Sequence, residues 1–364
     1  MTTRVAVVGY GYWGSKHARV LASTSDVIVT IVDTSRARLA QAHSAFPAAQ
    51  LASRLSDALP LVDAVVVATP PRTHAGLAHE ALLAGRHVLV EKPLATSASE
   101  CQSLIDSADD TGVVLMVGHT FEYNAAVRKL GELVDNGELG EICYIDAARL
   151  NLGLYQRDVN VIWDLAPHDI SIINFLLGTS PVSVSAWGHP HATKLLEDVA
   201  YLRLRYSDPG LSAYVHVSWL DPCKVRRVTV VGTQKMAVYN DVSSTERVRI
   251  YDVGVQPSIE ADAMHAMPTS YRYGDIVSPY IPFEEPLAVQ DAHFIQCIRD
   301  GTTPRTAGTS GMEVVRVLEA ASNALACGRE VELCPSDSFQ GPVPAHDSRR
   351  PNRDRPRDYE EVNA

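Results

Sequence analysis

Hydrophobic and polar positions follow two different patterns along this chain. Up to Gly118, short apolar runs at 5–8, 27–32, 64–68, 88–90 and 113–117 alternate with amphipathic, helix-like stretches. Runs of Val, Ile and Leu with no polar alternate face fit strands covered on both sides, the condition of a parallel sheet wrapped by helices. A doubly wound α/β domain is therefore expected over residues 1–122.

Beyond Gly118 the pattern changes. Residues 125–135 read as a helix, 142–150 as extended, and 167–177 as an apolar helix with Pro167 near its first turn and Gly178 just past its end. Strand candidates follow at 182–187, 199–206, 213–219 and 228–231, separated by punctuation such as Asp208-Pro209-Gly210. They imply a largely antiparallel sheet in an α+β second domain over 123–334. Within 212–219 one face carries Ala213, Val215, Val217 and Trp219, for a helix layer to cover. The other carries Ser212, Tyr214, His216 and Ser218, either solvated or paired with another subunit as a homodimer or homotetramer. Residues 240–285 read as long loops, and 287–300 and 311–327 as two helices closing the second domain. From Pro335 the Pro-, Arg-, Asp- and Ser-rich composition reads as a flexible, solvated tail.

Composition narrows the class. A chain of 364 residues with 46% hydrophobic and 21% charged residues can bury two cores. A net charge of −11 without a Lys/Arg stripe in the body argues against nucleic acid as a partner. The apolar runs are too short to span a membrane, and the start MTTRVAVVGYGYWG runs into glycines where a signal peptide would be cleaved, so the cytoplasm is the expected compartment. Cys101, Cys143, Cys223, Cys297, Cys327 and Cys334 are scattered, without metal-type spacing; reduced, mostly buried thiols are expected, and no metal.

Candidate chemistry starts at the first glycine cluster. Gly9-Tyr10-Gly11-Tyr12-Trp13-Gly14 follows the first strand and opens a helix, the context in which this spacing binds a dinucleotide. Gly9 permits the turn, Gly11 lets backbone approach a pyrophosphate, Gly14 permits close packing, and the helix N-terminus supplies amides. Asp33 ends the second strand, where a carboxylate accepts from ribose hydroxyls; it favours NAD, although Arg36 and Arg38, just past Thr34, could clamp the extra phosphate of NADP. Thr69, Pro70 and His74 follow the third run, and Glu91, Lys92 and Pro93 the fourth. All fall at carboxyl ends of strands, where an open parallel sheet places its ligand crevice.

The GYGYWG turn, ATPPRTH at 68–74, VEKP at 90–93, GHTFEYN at 118–124 and WDLAPHDISI at 163–172 occur in an order that resembles the glucose-fructose oxidoreductase/inositol dehydrogenase (Gfo/Idh/MocA) family over residues 1–330. The resemblance implies a Rossmann domain joined to a domain with a large open sheet, and oxidation or reduction of a sugar or cyclitol hydroxyl with a nicotinamide cofactor. It places Lys92 beside the nicotinamide, allows a cis bond before Pro93, sets His119 at the cofactor, and turns Asp164 and His168 toward the substrate. WDLAPHD, with Arg149-Leu150-Asn151 before it, looks most like members acting on nucleotide-linked sugars, including 3-dehydrogenases and ketosugar reductases.

Residue chemistry agrees with those roles. Moving a hydride from a carbinol requires a base for the hydroxyl proton, and His168 suits it; Lys92 can hydrogen-bond the developing alkoxide. Asp164, four residues earlier, shares a helix face with His168. Tyr123, Arg149, Asn151, Tyr155, Arg157 and Trp163 are candidate substrate contacts, and Arg157, Lys224, Arg226 and Arg227 could offset a diphosphate. Two other readings fit the same residues: a redox-neutral cycle in which held NAD transiently oxidises a sugar for elimination or glycoside cleavage, and a non-catalytic dinucleotide sensor.

Overall fold

The computed structural model describes residues 2–156, 158–192, 194–256 and 270–333. Arg157, Cys334 and the tail from Pro335 lie outside the described residues. Among the described residues, no helix is long and apolar enough to cross a membrane.

The expected apolar runs form five strands of a six-stranded, all-parallel sheet: β1 (Thr3–Val8), β2 (Val27–Val32), β4 (Ala64–Val67), β5 (His87–Glu91) and β6 (Leu115–Gly118). A short edge strand, β3 (Gln50–Ala52), completes the order β3-β2-β1-β4-β5-β6. With three residues and no fully buried position it has no apolar run to betray it. Helices α1 (Tyr12–Ser23), α2 (Arg36–Ala45), α3 (Leu55–Ala58), α4 (His74–Leu83) and α5 (Ala98–Thr111) connect the strands. The order reverses between β1 and β4, so the crevice opens beyond the carboxyl ends of those two strands.

The second domain contributes α6 (Ala125–Asp135), β7 (Ile142–Leu152), α7 (Val161–Leu177), β8 (Ser183–His189), β9 (Val199–Arg205), β10 (Ser212–Ser218), β11 (Leu220–Gly232), β12 (Met236–Asn240), β13 (Val248–Gln256) and β14 (Ser270–Val277). After α8 (Pro286–Asp300) and α9 (Gly308–Cys327), β15 (Val331–Glu332) closes a nine-stranded sheet in the order β14-β13-β12-β11-β7-β10-β9-β8-β15. It is antiparallel except at its middle, where β10 pairs β7 in parallel. Ala213, Val215, Val217 and Trp219 are buried beneath helices, as their alternation requires.

Four expectations change. The region read as loops at 240–285 carries β13 and β14, whose Arg, Tyr and Asp content hides a strand pair at the sheet edge, with β14 exposed. Helix α7 starts at Val161, not Pro167: Asn160 caps it by accepting from Trp163 N, and Pro167 sits inside the helix. Helix α8 joins the first domain, with Phe294 and Ile295 packed among Val5, Val7 and Leu21. Finally, Cys101 and Cys297 are the buried thiols; Cys143 is half-buried, and Cys223 and Cys327 are exposed, all free.

Helix α9 belongs to both domains. Met312 and Val315 join the core under β4, β5 and β6, while Val314, Val317, Leu318 and Ala321 join the core of the second sheet. Its first turn lies so close to β6 that a Cβ on Gly311 would stand 2.5 Å from Val117 Cγ2, and one on Gly308 2.7 Å from Leu115 Cδ2. Gly311→Val should therefore cost about 1–3 kcal/mol through overpacking at this junction. By contrast, Gly76→Ala in α4, where no atom lies within 4 Å of the new methyl, should stabilise by about 0.5–1 kcal/mol. Chemical denaturation of the two variants measures both signs.

Candidate active site

The cofactor end of the crevice is built from backbone. Gly9 has φ 90°, and a Cβ there would lie 2.7 Å from Ala68 O; a Cβ on Gly14 would lie 1.7 Å from Gly9 O. Gly11 differs: nothing stands within 4 Å of its would-be Cβ, and it caps α1 without a side chain, leaving a cradle beside free helix amides. That open cradle fits a dinucleotide pyrophosphate. Tyr12 and Trp13 stand edge to face at its rim, exposed, with Lys16 over the Tyr12 ring at 4.4 Å.

Asp33 is buried and accepts from Tyr10 N and Ser35 N, both at 2.8 Å, tying the glycine turn to the end of β2. Arg38 Nη1 is 3.5 Å from Asp33 Oδ2, so this arginine is already partnered; Thr34 and Arg36 are exposed. Thr69 Oγ1 accepts from Thr73, and Pro70 is exposed on the same loop.

His74 does not line the crevice. Its ring is buried, with Nδ1 2.8 Å from Pro93 O and Nε2 2.8 Å from Thr69 O, so it is a strut between the two loops expected to hold the cofactor. Burial lowers its pKa. Glu91 is a strut as well, and here sequence reasoning missed its partners. His17, from the buried side of α1, sits between Glu91 Oε1 and both Asp291 oxygens, each contact 3.0 Å, and Glu91 Oε2 accepts from Lys92 N. Burial alone would lower His17, but the two carboxylates raise it to about 10. The charged imidazole thus clamps α1, α8 and the end of β5 directly behind Lys92. A buried histidine three residues after Gly14 was the available signal; Asp291, 274 residues away, gave none.

The Lys92–Pro93 bond is cis. Lys92 crosses to the second domain: its Nζ donates to Asp164 O at 2.8 Å and lies 3.8 Å from Asp164 Oδ1. Burial pulls its pKa down, opposed by Asp164 and Glu91 and assisted by Arg149. Asp164 Oδ2 accepts from Trp219 Nε1 at 2.9 Å, so the carboxylate is fixed from the end of β10. One helical turn further, His168 packs edge-on against Phe121 with ring centroids 5.0 Å apart, and its buried Nδ1 has no partner. Burial, then the charges of Lys92, Arg149 and Arg226, hold His168 well below its ordinary pKa. His119 is buried with both ring nitrogens unpartnered, and burial lowers it to about 4. Lys92 therefore meets α7 across the domain junction at Asp164, one helical turn before His168.

The expected substrate contacts divide. Asn151 Oδ1 is buried and unpartnered. Tyr155 donates to Asp198 at 3.3 Å and packs on Trp219. Three others are committed elsewhere. Tyr123 lies in the core of the first domain, its hydroxyl 3.2 Å from Thr306 and its ring against Arg305 and His293. Arg149 is buried with Nε and Nη2 bonded to Asp169 at 2.8 and 2.9 Å. Trp163 donates to Ser322 of α9 at 2.9 Å and seals the junction. Arg227 points to the opposite sheet face, where it pairs with Asp146.

A parallel sheet with a glycine turn at its switch point, facing a lysine and two neutral imidazoles, defines a nicotinamide-dependent oxidoreductase. The comparisons agree. Residues 3–119 match the model of an oxidoreductase family with an NAD-binding Rossmann fold, and residues 127–238 that of the GFO/IDH/MocA C-terminal domain. The chain belongs to the Gfo/Idh/MocA family. It is 24% identical over 356 residues to inositol 2-dehydrogenase of Rhizobium meliloti (strain 1021), covering 92% of this chain and 100% of that one. It is 33% identical over 191 residues to UDP-N-acetylglucosamine 3-dehydrogenase of Acidithiobacillus ferrooxidans, 51% of this chain and 58% of that one. Among solved structures, GenD2 from gentamicin A biosynthesis, in complex with NAD, superposes with TM-score 0.77 at 27% identity, over 92% of this chain and 97% of that one.

The clamp makes a pH prediction. A folded-state pKa of about 10 against about 6.5 unfolded means that the His17 contribution is complete below pH 6.5 and is lost as the pH rises through 10. Urea unfolding across pH 6.5–10 should show wild type losing stability relative to His17→Gln, and at pH 6.5 the variant should be weaker by about 3 kcal/mol or more. Parallel curves would refute the clamp.

Proposed function

We propose that the chain oxidises a secondary hydroxyl of a sugar or polyol, or reduces the corresponding ketone, with a nucleotide-linked sugar as the favoured substrate and C3 as the favoured carbon. The observation that carries this reading is the contact of Lys92 Nζ with Asp164 O of α7, one helical turn before His168. The name of the Acidithiobacillus relative supports the nucleotide-sugar preference.

The Gly11 cradle and Asp33 would hold NAD, which would supply the hydride acceptor. The protein's own groups handle the proton. One ammonium proton of Lys92 is used by Asp164 O, leaving others for the substrate oxygen as charge builds on it. His168, neutral at physiological pH, takes the hydroxyl proton. Asp164, fixed by Trp219, faces Lys92 and keeps the ammonium aimed across the junction. A ketone is reduced by the same groups in reverse.

Lys92→Ala and His168→Ala should each lower kcat by about 10²–10⁴ while NADH still binds, read by fluorescence titration. Because His168 is held well below 6.5, kcat/KM should stay flat as the pH falls through 6.5, with loss on the alkaline side as Lys92 deprotonates below 10.5. Full turnover in either variant would end the mechanism. Turnover without net NADH would support the redox-neutral cycle, and NADH binding with no turnover on any sugar tested would support the sensor.

The uncovered face of the large sheet supports a second copy of this chain as partner. Tyr144, Trp187, Tyr201 and Tyr214 are exposed there, Tyr201 stacks on His216 at 3.9 Å, and a 390 Å³ hollow lies between them and the Asp146–Arg227 pair. A face carrying both aromatic rings and a paired acid and base can complement its own copy. In sedimentation experiments Trp187→Arg with Tyr201→Arg should yield monomers from an oligomeric wild type; a monomeric wild type would contradict this.

A further inference from the structure

Arg149 and Arg226 are register partners on β7 and β11, on the sheet face that carries α7. Arg149 is neutralised by Asp169, the residue after His168. Arg226 is not so enclosed: its Nη1 lies 3.2 Å from Asp241 Oδ2, with the side chain 38% exposed. Arg247, just before β13, reaches the other oxygen of the same carboxylate, Nη1 to Oδ1 3.7 Å. Two guanidinium groups therefore share one carboxylate, which also accepts from the Tyr239 hydroxyl at 2.9 Å. Arg247 further lies 5.5 Å from the centre of the Phe283 ring, which is 73% exposed.

We propose that Arg226 and Arg247 form an oxyanion subsite for the distal end of the substrate, taking a phosphoryl or carboxylate group, with Phe283 as an apolar plane beside it. The inference rests on the hydride-transfer reading above, because the subsite is placed relative to His168. Strands lie about 4.8 Å apart, so Arg226 is one spacing and Asp241 about two from Arg149, roughly 5–10 Å beyond the α7 side of the pocket. That is the reach of a substituent carried by a sugar ring, not of the reacting carbinol itself. Asp241 aligns both guanidinium groups and leaves one positive charge in excess, and a planar fork binds an oxyanion in two-pronged fashion. Arg227, on the opposite face, cannot contribute.

The test uses full-length protein saturated with NADH, so that the Gly11 cradle is filled, and isothermal titration with inorganic pyrophosphate, UDP, D-glucuronate and, as the neutral control, myo-inositol. At least one oxyanion probe should bind wild type, and Arg226→Gln and Arg247→Gln should each weaken it about tenfold or more. Asp241→Asn should tighten it, because the competing carboxylate charge is gone; this opposite sign does not arise from damage to the fold. Binding of UDP or pyrophosphate but not glucuronate assigns the phosphoryl source, and the reverse assigns the carboxylate. Unchanged affinity in the double arginine variant, weaker binding in Asp241→Asn, or no oxyanion binding by NADH-loaded wild type overturns the subsite and leaves the hydride-transfer reading standing. Failure of NADH itself to bind overturns that reading, and the subsite with it.

Discussion

The ammonium of Lys92 leaves the first domain and ends on a carbonyl of the second. That contact requires the two sheets to be held in fixed relation, and the junction is built to hold them. Helix α9 places one face in each core, Gly308 and Gly311 let it touch β6, and Trp163 is pinned to Ser322. Behind the lysine, the His17–Glu91–Asp291 clamp joins α1, α8 and the end of β5. Loss of such a buried charged set would leave unpaired carboxylates, so the clamp stabilises through its completeness.

Charge at the site follows from burial. Burial, with the positive charges of Lys92, Arg149 and Arg226 near it, keeps the His168 imidazole neutral. The negative groups are assigned one by one: Asp169 to Arg149, Asp164 to Trp219 and Lys92, Glu91 to His17. Among the described residues, the buried polar atoms without a partner include both ring nitrogens of His119, His168 Nδ1 and Asn151 Oδ1.

Much of this was legible because its signals are local. Continuous Val/Ile runs announce buried parallel strands, and glycine spacing after the first run announces the cradle. That Asp164 and His168 lie one turn apart needed only a helix, although that helix begins at Val161, capped by Asn160, a cap overshadowed by Pro167. Long-range partners were not legible. Nothing near Arg149 in sequence says that Asp169 will occupy it, nor that Tyr123 will turn into the first domain toward Thr306. Strands β13 and β14 escaped because β14 is exposed on nearly every side chain and β13 interleaves Arg, Tyr and Asp with its apolar residues, so neither shows the alternation that marks a half-buried strand.

A crystal structure of the protein with NAD bound tests the central claim most directly. Hydride transfer at this site requires the nicotinamide C4 to face Lys92 Nζ and His168 across a gap that one carbinol fills, with reacting atoms able to approach to about 3.5 Å. A nicotinamide ring turned away from Lys92, or a dinucleotide lying elsewhere than along the Gly11 cradle, would contradict it.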